Sequence, residues 1–152
     1  MRVEDVDQPV VAAATRTPFE AARRVFVLER VDTMNDEVAN RLLKTLEEPA
    51  RFVHLILLTD DVYGTFVPGF RSLLGAFPYN TIGVYSYSKY FGCTGWRLGV
   101  IAVNEHNMFD DMIARHPEAV KKKLDKRYGG LTLEPRKIAF IDRIVADSRD
   151  VA

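Results

Sequence analysis

The sequence predicts an α/β protein with a mostly parallel sheet and flanking helices. Three observations carry this. Short apolar and β-branched runs at 24–29, 52–59, 81–85 and 97–103 alternate with stretches of helical period. The run at 52–59 is apolar on both faces, as in strands covered by helices on each side. Strand, helix and apolar strand follow one another between 24 and 59, the order of a right-handed crossover joining parallel strands.

Each element has its own local reason. Asn35 is a good N-cap for a helix reaching about residue 48, and Asp36 and Glu37 in its first turn suit the helix dipole. Val38, Leu42, Leu43 and Leu46 make its apolar stripe, and Pro49 stops it. A short helix is expected at 68–74, and a strand at 81–85. The segment 86–95 reads as a loop with Gly92 and Gly95, and 97–103 as a further strand. A helix is expected at 104–115, and Pro117 suits the first turn of the next one. A last helix is expected at 134–148, with Ile138, Ile141, Ile144 and Val145 on one face. No repeat, low-complexity tract or linker separates the halves.

Composition narrows the function classes. The chain has 152 residues, 47% hydrophobic and 28% charged, enough to bury a core. Its 21 basic residues balance 21 acidic ones, which argues against a general drive toward nucleic acid or anionic membrane. Cys93 is the only cysteine, so no internal disulfide forms, and a cytoplasmic location is expected. The N-terminus shows no signal-peptide core, and the longest apolar run, 52–58, is too short to span a bilayer.

Two stretches carry chemistry. In the first, an apolar strand ends on Glu29-Arg30, where a P-loop nucleotidase would place a metal-holding acid and a water-orienting base. Arginine stays protonated and is no base. No Gly-x-x-x-x-Gly-Lys-Ser/Thr loop exists to cradle phosphates. The stretch 25–49, above all Ala-Asn-Arg-Leu-Leu-Lys-Thr-Leu-Glu-Glu-Pro at 39–49, resembles the delta-prime and gamma/tau subunits of the bacterial DNA polymerase III clamp loader. The resemblance covers 1–59 and implies a non-hydrolysing assembly subunit that binds sister subunits. That family's zinc-binding region and its Ser-Arg-Cys arginine-finger segment have no counterpart here, so the resemblance is to an internal slice.

The second stretch begins with Asp-Asp-Val-Tyr at 60–63, just after an apolar strand. Ser-Tyr-Ser-Lys at 86–89 follows another strand, and Arg97 comes eight residues after the lysine. Pyridoxal phosphate chemistry needs parts of these kinds: a lysine amine for a Schiff base, a carboxylate for the pyridine nitrogen, and a phenol for the ring oxygen. It also needs a hydroxyl and a guanidinium for the phosphate, and glycines that let the backbone approach. Singly these residues are ordinary. Lys89 alone reads as a surface lysine, the Asp pair as a turn, and Arg97 with Trp96 as a stacked pair.

In this order they resemble the fold-type I aminotransferases. The strings at 60–67, 85–100 and 131–137 resemble the aspartate 4-decarboxylases, relatives of aspartate aminotransferase. The resemblance covers 60–152. It implies that Lys89 holds pyridoxal 5'-phosphate and acts in catalysis. Asp60 would face the pyridine nitrogen and Tyr63 the ring oxygen, while Ser86 and Arg97 take the phosphate. Asp61 is a neighbour of lesser role. It also implies L-aspartate or a similar amino acid as substrate, and active sites shared in a dimer. That family's other phosphate-binding loop, its ring-stacking aromatic and its carboxylate-gripping arginine have no counterpart here, so little or no turnover is expected.

The two resemblances meet at 58–60, so the sequence reads as a chimera of a clamp-loader slice (1–59) and a pyridoxal-enzyme slice (60–152). An enzyme fragment, an assembly module and a chimeric product without evolved function remain alternative readings. A hybrid sheet with an open edge favours self-association. The basic run at 121–127 reads as a solvated helix face, and His54, His106 and His116 lack metal-ligand spacing.

Overall fold

The structure, a computed structural model, describes residues 7–14, 16, 25–28, 31–47 and 53–149. The chain divides into two compact units, Met1–Leu55 and Ile56–Ala152.

In the first unit, a π-helical segment Asp7–Ala12 and a 3-10 turn Val31–Thr33 precede helix α1, Asp36–Glu47. Asn35 caps α1 as expected: its Oδ1 accepts from the Val38 amide at 2.9 Å. Val38 and Leu42 are buried, and Val10, Val11, Leu28 and Met34 pack against them. The side chains of Leu43 and Leu46, and Glu29, Arg30 and Pro49, lie outside the described residues.

The strand expected at 24–29 is corrected. Its described residues 25–28 join no ladder, and Val25 and Val27 are about four-fifths exposed (80% and 78%). An apolar run becomes a strand only where a neighbour takes up its amides and carbonyls. The crossover expected between 24–29 and 52–59 therefore does not form among the described residues.

The second unit holds an open three-stranded sheet in the order β1 (Leu57–Asp60), β2 (Thr81–Ser86), β3 (Gly99–Val103). β1 and β2 run parallel, with Leu57 beside Thr81 and Asp60 beside Val84. β2 and β3 run antiparallel, with Ile82 opposite Val103 and Ser86 opposite Gly99. The α/β class is as expected, but the sheet is mixed rather than mostly parallel. Connection lengths explain this. The segment 61–80 is long enough to cross over, and carries helix α2 (Leu73–Ala76) against β1 and β2. The segment 87–98 holds only the one-turn helix α3 (Tyr87–Tyr90) and a 3-10 turn, Thr94–Trp96, and brings the chain straight back.

Helix α2 starts later than the 68–74 expected, because Ser72 caps it by accepting from the Leu74 amide at 3.0 Å. Helix α4 (Met108–Ala114) likewise starts after the expected 104, at the cap Asn107. There Asn107 Oδ1 accepts from the Asp110 amide at 2.9 Å, and Nδ2 donates to Asn104 O and Asp110 Oδ2. Helix α5 (Glu118–Tyr128) begins one residue after Pro117, which occupies the cap position rather than the first turn. Its Lys122, Lys123, Lys126 and Arg127 are exposed, the solvated face that the basic run implied.

The helix expected at 134–148 splits into a 3-10 turn, Pro135–Lys137, and helix α6, Phe140–Arg149. The α6 N-terminus is capped from 30 positions away: the Phe140 amide donates to Asp110 Oδ1 at 2.7 Å. A carboxylate there also faces the positive end of the helix dipole. Phe109 and Phe140 stack at 4.5 Å, and Met108, Phe109 and Tyr128 are buried.

Three ion pairs tie α5 to its neighbours. Arg127 and the Tyr128 hydroxyl both donate to Asp147, and Arg136 bridges Glu118 and Asp125. The Arg127 hydrogen bond holds the Asp147 carboxyl below its ordinary value, and Arg136 does the same for Glu118. A depressed carboxylate contributes stability above its unfolded pKa and loses it as pH falls through its folded one. The melting temperature of the second unit should therefore fall below about pH 4.5 more steeply in the parent chain than in Arg127→Gln and Arg136→Gln variants. Identical acid profiles across the three proteins would show that these exposed pairs contribute nothing.

Candidate functional site

The site residues follow from how the strands end. β1 ends at Asp60, whose Oδ1 accepts from the Val62 amide at 3.0 Å and turns the chain out of the sheet. Asp61 is occupied differently. Its amide donates to Val84 O at 2.9 Å, and its Oδ1 accepts from Thr59 Oγ1 at 2.7 Å. Tyr63 follows, 61% exposed, at the head of a 3-10 turn, Gly64–Phe66. Gly64 is buried, and a Cβ there would run into the Phe70 ring, so any larger residue would displace that ring.

β2 ends at Ser86, the cap of α3. Its Oγ accepts from the Ser88 amide at 3.2 Å and donates to Ser88 Oγ at 3.0 Å. The segment expected as a loop at 86–95 thus contains one helical turn, and Lys89 sits in it, exposed. The return strand begins at Gly99 rather than 97, because Arg97 is left-handed (φ 51°) after the 3-10 turn and cannot continue a strand. Of the loop glycines, Gly92 is needed for its positive φ of 66°. A Cβ added at Gly95 would meet nothing within 4 Å, so the expected close backbone approach is not seen there. Among the described residues, the cation–π contacts are those of Arg127 and Arg143 on Tyr128, not Arg97 on Trp96.

Register brings these residues to one side. Asp60 closes a strand running parallel to β2, Ser86 closes β2 itself, and Arg97 lies two residues before the strand that starts opposite Ser86. Asp60, Ser86 and Arg97 therefore share one end of the sheet. Tyr63 and Lys89 each lie three residues past a strand end. The carboxyl ends of parallel strands are where open α/β sheets bind ligands.

Rings absent from the expected site link its two halves. Phe66 lies 6.2 Å from Tyr63 and meets Tyr90 edge-on at 5.5 Å. Tyr90, Phe91, Tyr87 and Tyr85 continue the chain at 5.1, 5.5 and 5.4 Å. The density of aromatics on both sides of each site segment was the available signal. Cys93 Sγ donates to Tyr87 O at 3.1 Å.

Two clefts lie elsewhere. One runs between α4, α5 and α6, past Asp110, Lys121, Asp125 and Arg143; the other passes Leu131, Glu134 and Asp142. Among the described residues no cluster of His, Cys, Asp and Glu is arranged to hold a metal, and no helix is long and apolar enough to cross a membrane.

The donor set at this end of the sheet fits pyridoxal phosphate in kind. It offers an exposed amine with no ion pair among the described residues, a carboxylate, a phenol, a hydroxyl and a guanidinium.

Comparison with known proteins gives two likenesses. The family model for the DNA polymerase III delta subunit matches residues 1–68. A bifunctional aspartate aminotransferase and L-aspartate beta-decarboxylase from a Pseudomonas species is 58% identical over 98 residues, covering 64% of this chain and 18% of that protein. The chain thus spans less than a fifth of that relative's length. The two matched proteins differ in kind, and their matched lengths together exceed the chain. One polypeptide carries both likenesses, to a polymerase subunit at its start and to an aspartate enzyme over most of its length.

Proposed function

We propose that the second unit is a piece of the cofactor site of a pyridoxal-phosphate-dependent aspartate aminotransferase/decarboxylase, with Lys89 as its Schiff-base lysine. The observation that carries this is the shared sheet end of Asp60, Ser86 and Arg97, with an exposed Lys89 one turn beyond Ser86. Bound there, the cofactor would supply an electron sink for amino-acid chemistry. Asp60 keeps a carboxylate oxygen outside its turn to hold a proton on a ring nitrogen. Arg97 offers a forked cation to a phosphate, and Ser86 Oγ can trade its bond to Ser88 for one to the same phosphate. Tyr63 offers a hydroxyl to a ring oxygen. L-aspartate, which the relative's name implies, is the substrate this reading assigns to the intact enzyme.

The chain by itself offers one side of such a pocket, so little or no turnover is expected. The reading places the work in the cytoplasm, where Cys93 stays a thiol. The outer edges of β1 and β3 suit pairing with a second copy. The test is the visible spectrum with pyridoxal phosphate, followed by borohydride reduction and mapping of the adduct, with Lys89→Ala as control.

The match over residues 1–68 favours a second reading, in which the first unit docks on a sister clamp-loader subunit. α1 buries Val38 and Leu42 and exposes Asp36, Glu37 and Asn40, a polar face that suits a partner. Nucleic acid is not the expected direct ligand. Binding to a purified sister subunit should weaken roughly tenfold or more in Glu37→Lys, because reversing a charge at an interface sets like charges against each other. Lys89→Ala should leave it unchanged. Binding lost equally in both variants would remove this reading.

A further inference from the structure

We propose that Phe66 and Tyr90 are positioning residues that fix the distance between Tyr63 and Lys89. The inference rests on the cofactor reading above. Tyr63 and Lys89 lie on different connections, one leaving β1 and the other leaving β2, and no ladder hydrogen bond reaches either side chain. α3 is a single turn of four residues, too short to hold itself. Its backbone anchors are the Tyr87 amide donating to Leu98 O at 3.2 Å and the Phe91 amide donating to Tyr87 O at 3.3 Å. Both tie α3 to itself and to the start of β3, not to the segment after β1.

The edge-on contact of Phe66 with Tyr90, 5.5 Å between centroids, crosses from one connection to the other. The other ring contacts at this end of the sheet join residues within a few positions of each other. Tyr90 is the next residue after Lys89, and Phe66 closes the 3-10 turn that Tyr63 opens. Phe66 and Tyr90 are 54% and 53% exposed, so burial alone does not account for their placement. An edge-on pair has a preferred geometry that an aliphatic contact lacks. The pair therefore acts as a hinge pin: it sets where the Lys89 amine stands relative to the Tyr63 hydroxyl.

The test uses the full chain with pyridoxal phosphate and borohydride. Phe66→Leu and Tyr90→Leu should each lower the preference of the adduct for Lys89 over the α5 lysines by roughly 2- to 10-fold, the factor one aromatic pair sustains. The double variant should fall no further than either single one, because both remove the same contact. Tyr90→Phe, which keeps the ring, should retain the parent's preference.

The pH midpoint of the bound cofactor's visible band should move upward in the leucine variants, as in Tyr63→Phe. A merely structural role would not move that midpoint. Where leucine alters the far-UV spectrum, Phe66→Met takes its place.

Leucine variants with the parent's preference and midpoint overturn the positioning role and leave the cofactor reading standing. A parent chain with no preference for Lys89 overturns the cofactor reading, and the positioning role with it.

Discussion

Pyridoxal phosphate added to the purified chain and fixed with borohydride should leave one adduct on Lys89, and Lys89→Ala should abolish it. Reactivity alone does not decide this, since any exposed lysine forms some adduct. The strongest competitors are Lys121, Lys122, Lys123 and Lys126 on α5, where a local basic run attracts the phosphate. Lys137 is held by Glu134 at 2.7 Å and competes less.

What sets Lys89 apart is its company: a carboxylate, a hydroxyl and a guanidinium lie at the same end of the sheet. Attraction to the α5 run is a screened surface effect, with a Debye length of about 8 Å at physiological salt. Raising salt should therefore strip adducts from α5 while Lys89 keeps its own. Labelling scattered over all lysines, or equal in parent and Lys89→Ala, would mean that the motif is present without its pocket.

Replacing Arg143 by alanine should lower the stability of the second unit by about 3 kcal/mol, the range for breaking buried charge-assisted contacts. Arg143 is 5% exposed. Its Nε donates to Ile138 O at 3.1 Å and its Nη2 to Pro135 O at 3.0 Å. Its guanidinium lies 4.7 Å over the Tyr128 ring. It thus ties α6 to the turn that precedes it and to the end of α5.

One atom opposes this. Nη1 is buried with no hydrogen-bond partner, which costs part of the gain. Arg143→Met keeps the stem and removes the buried charge, so it should cost about 2 kcal/mol less than alanine. Urea unfolding followed by far-UV circular dichroism measures both. Trp96 is 77% exposed and a poor reporter of this region. An alanine variant within about 0.5 kcal/mol of the parent would show that the guanidinium is a passenger, as surface groups are.

Much of the local structure was legible because its causes are local. The Asn35 side chain reaches an amide three residues on, so the start of α1 is written within one turn. Thr81–Ser86 combines β-branched residues with a serine that caps the next turn, and it forms where expected, one residue longer. The candidate site was legible as far as strand ends, since Asp60 and Ser86 both close strands. Phe66 and Tyr90 were not, because a contact across 24 residues leaves no trace in spacing.

Residue order and spacing were enough for the α/β class and for the helix caps made by neighbouring residues, and they named the candidate site residues. Those depend on hydrogen bonds and periodicities that span a few residues. Folding in three dimensions settled which runs became strands, which way β3 points and where α6 begins. The run at 25–28 lacks a ladder partner, β3 returns over a connection at the lower limit of a crossover, and α6 takes its cap from Asp110. Each of these turns on a partner distant in the chain, and the sequence records the two partners without recording that they meet.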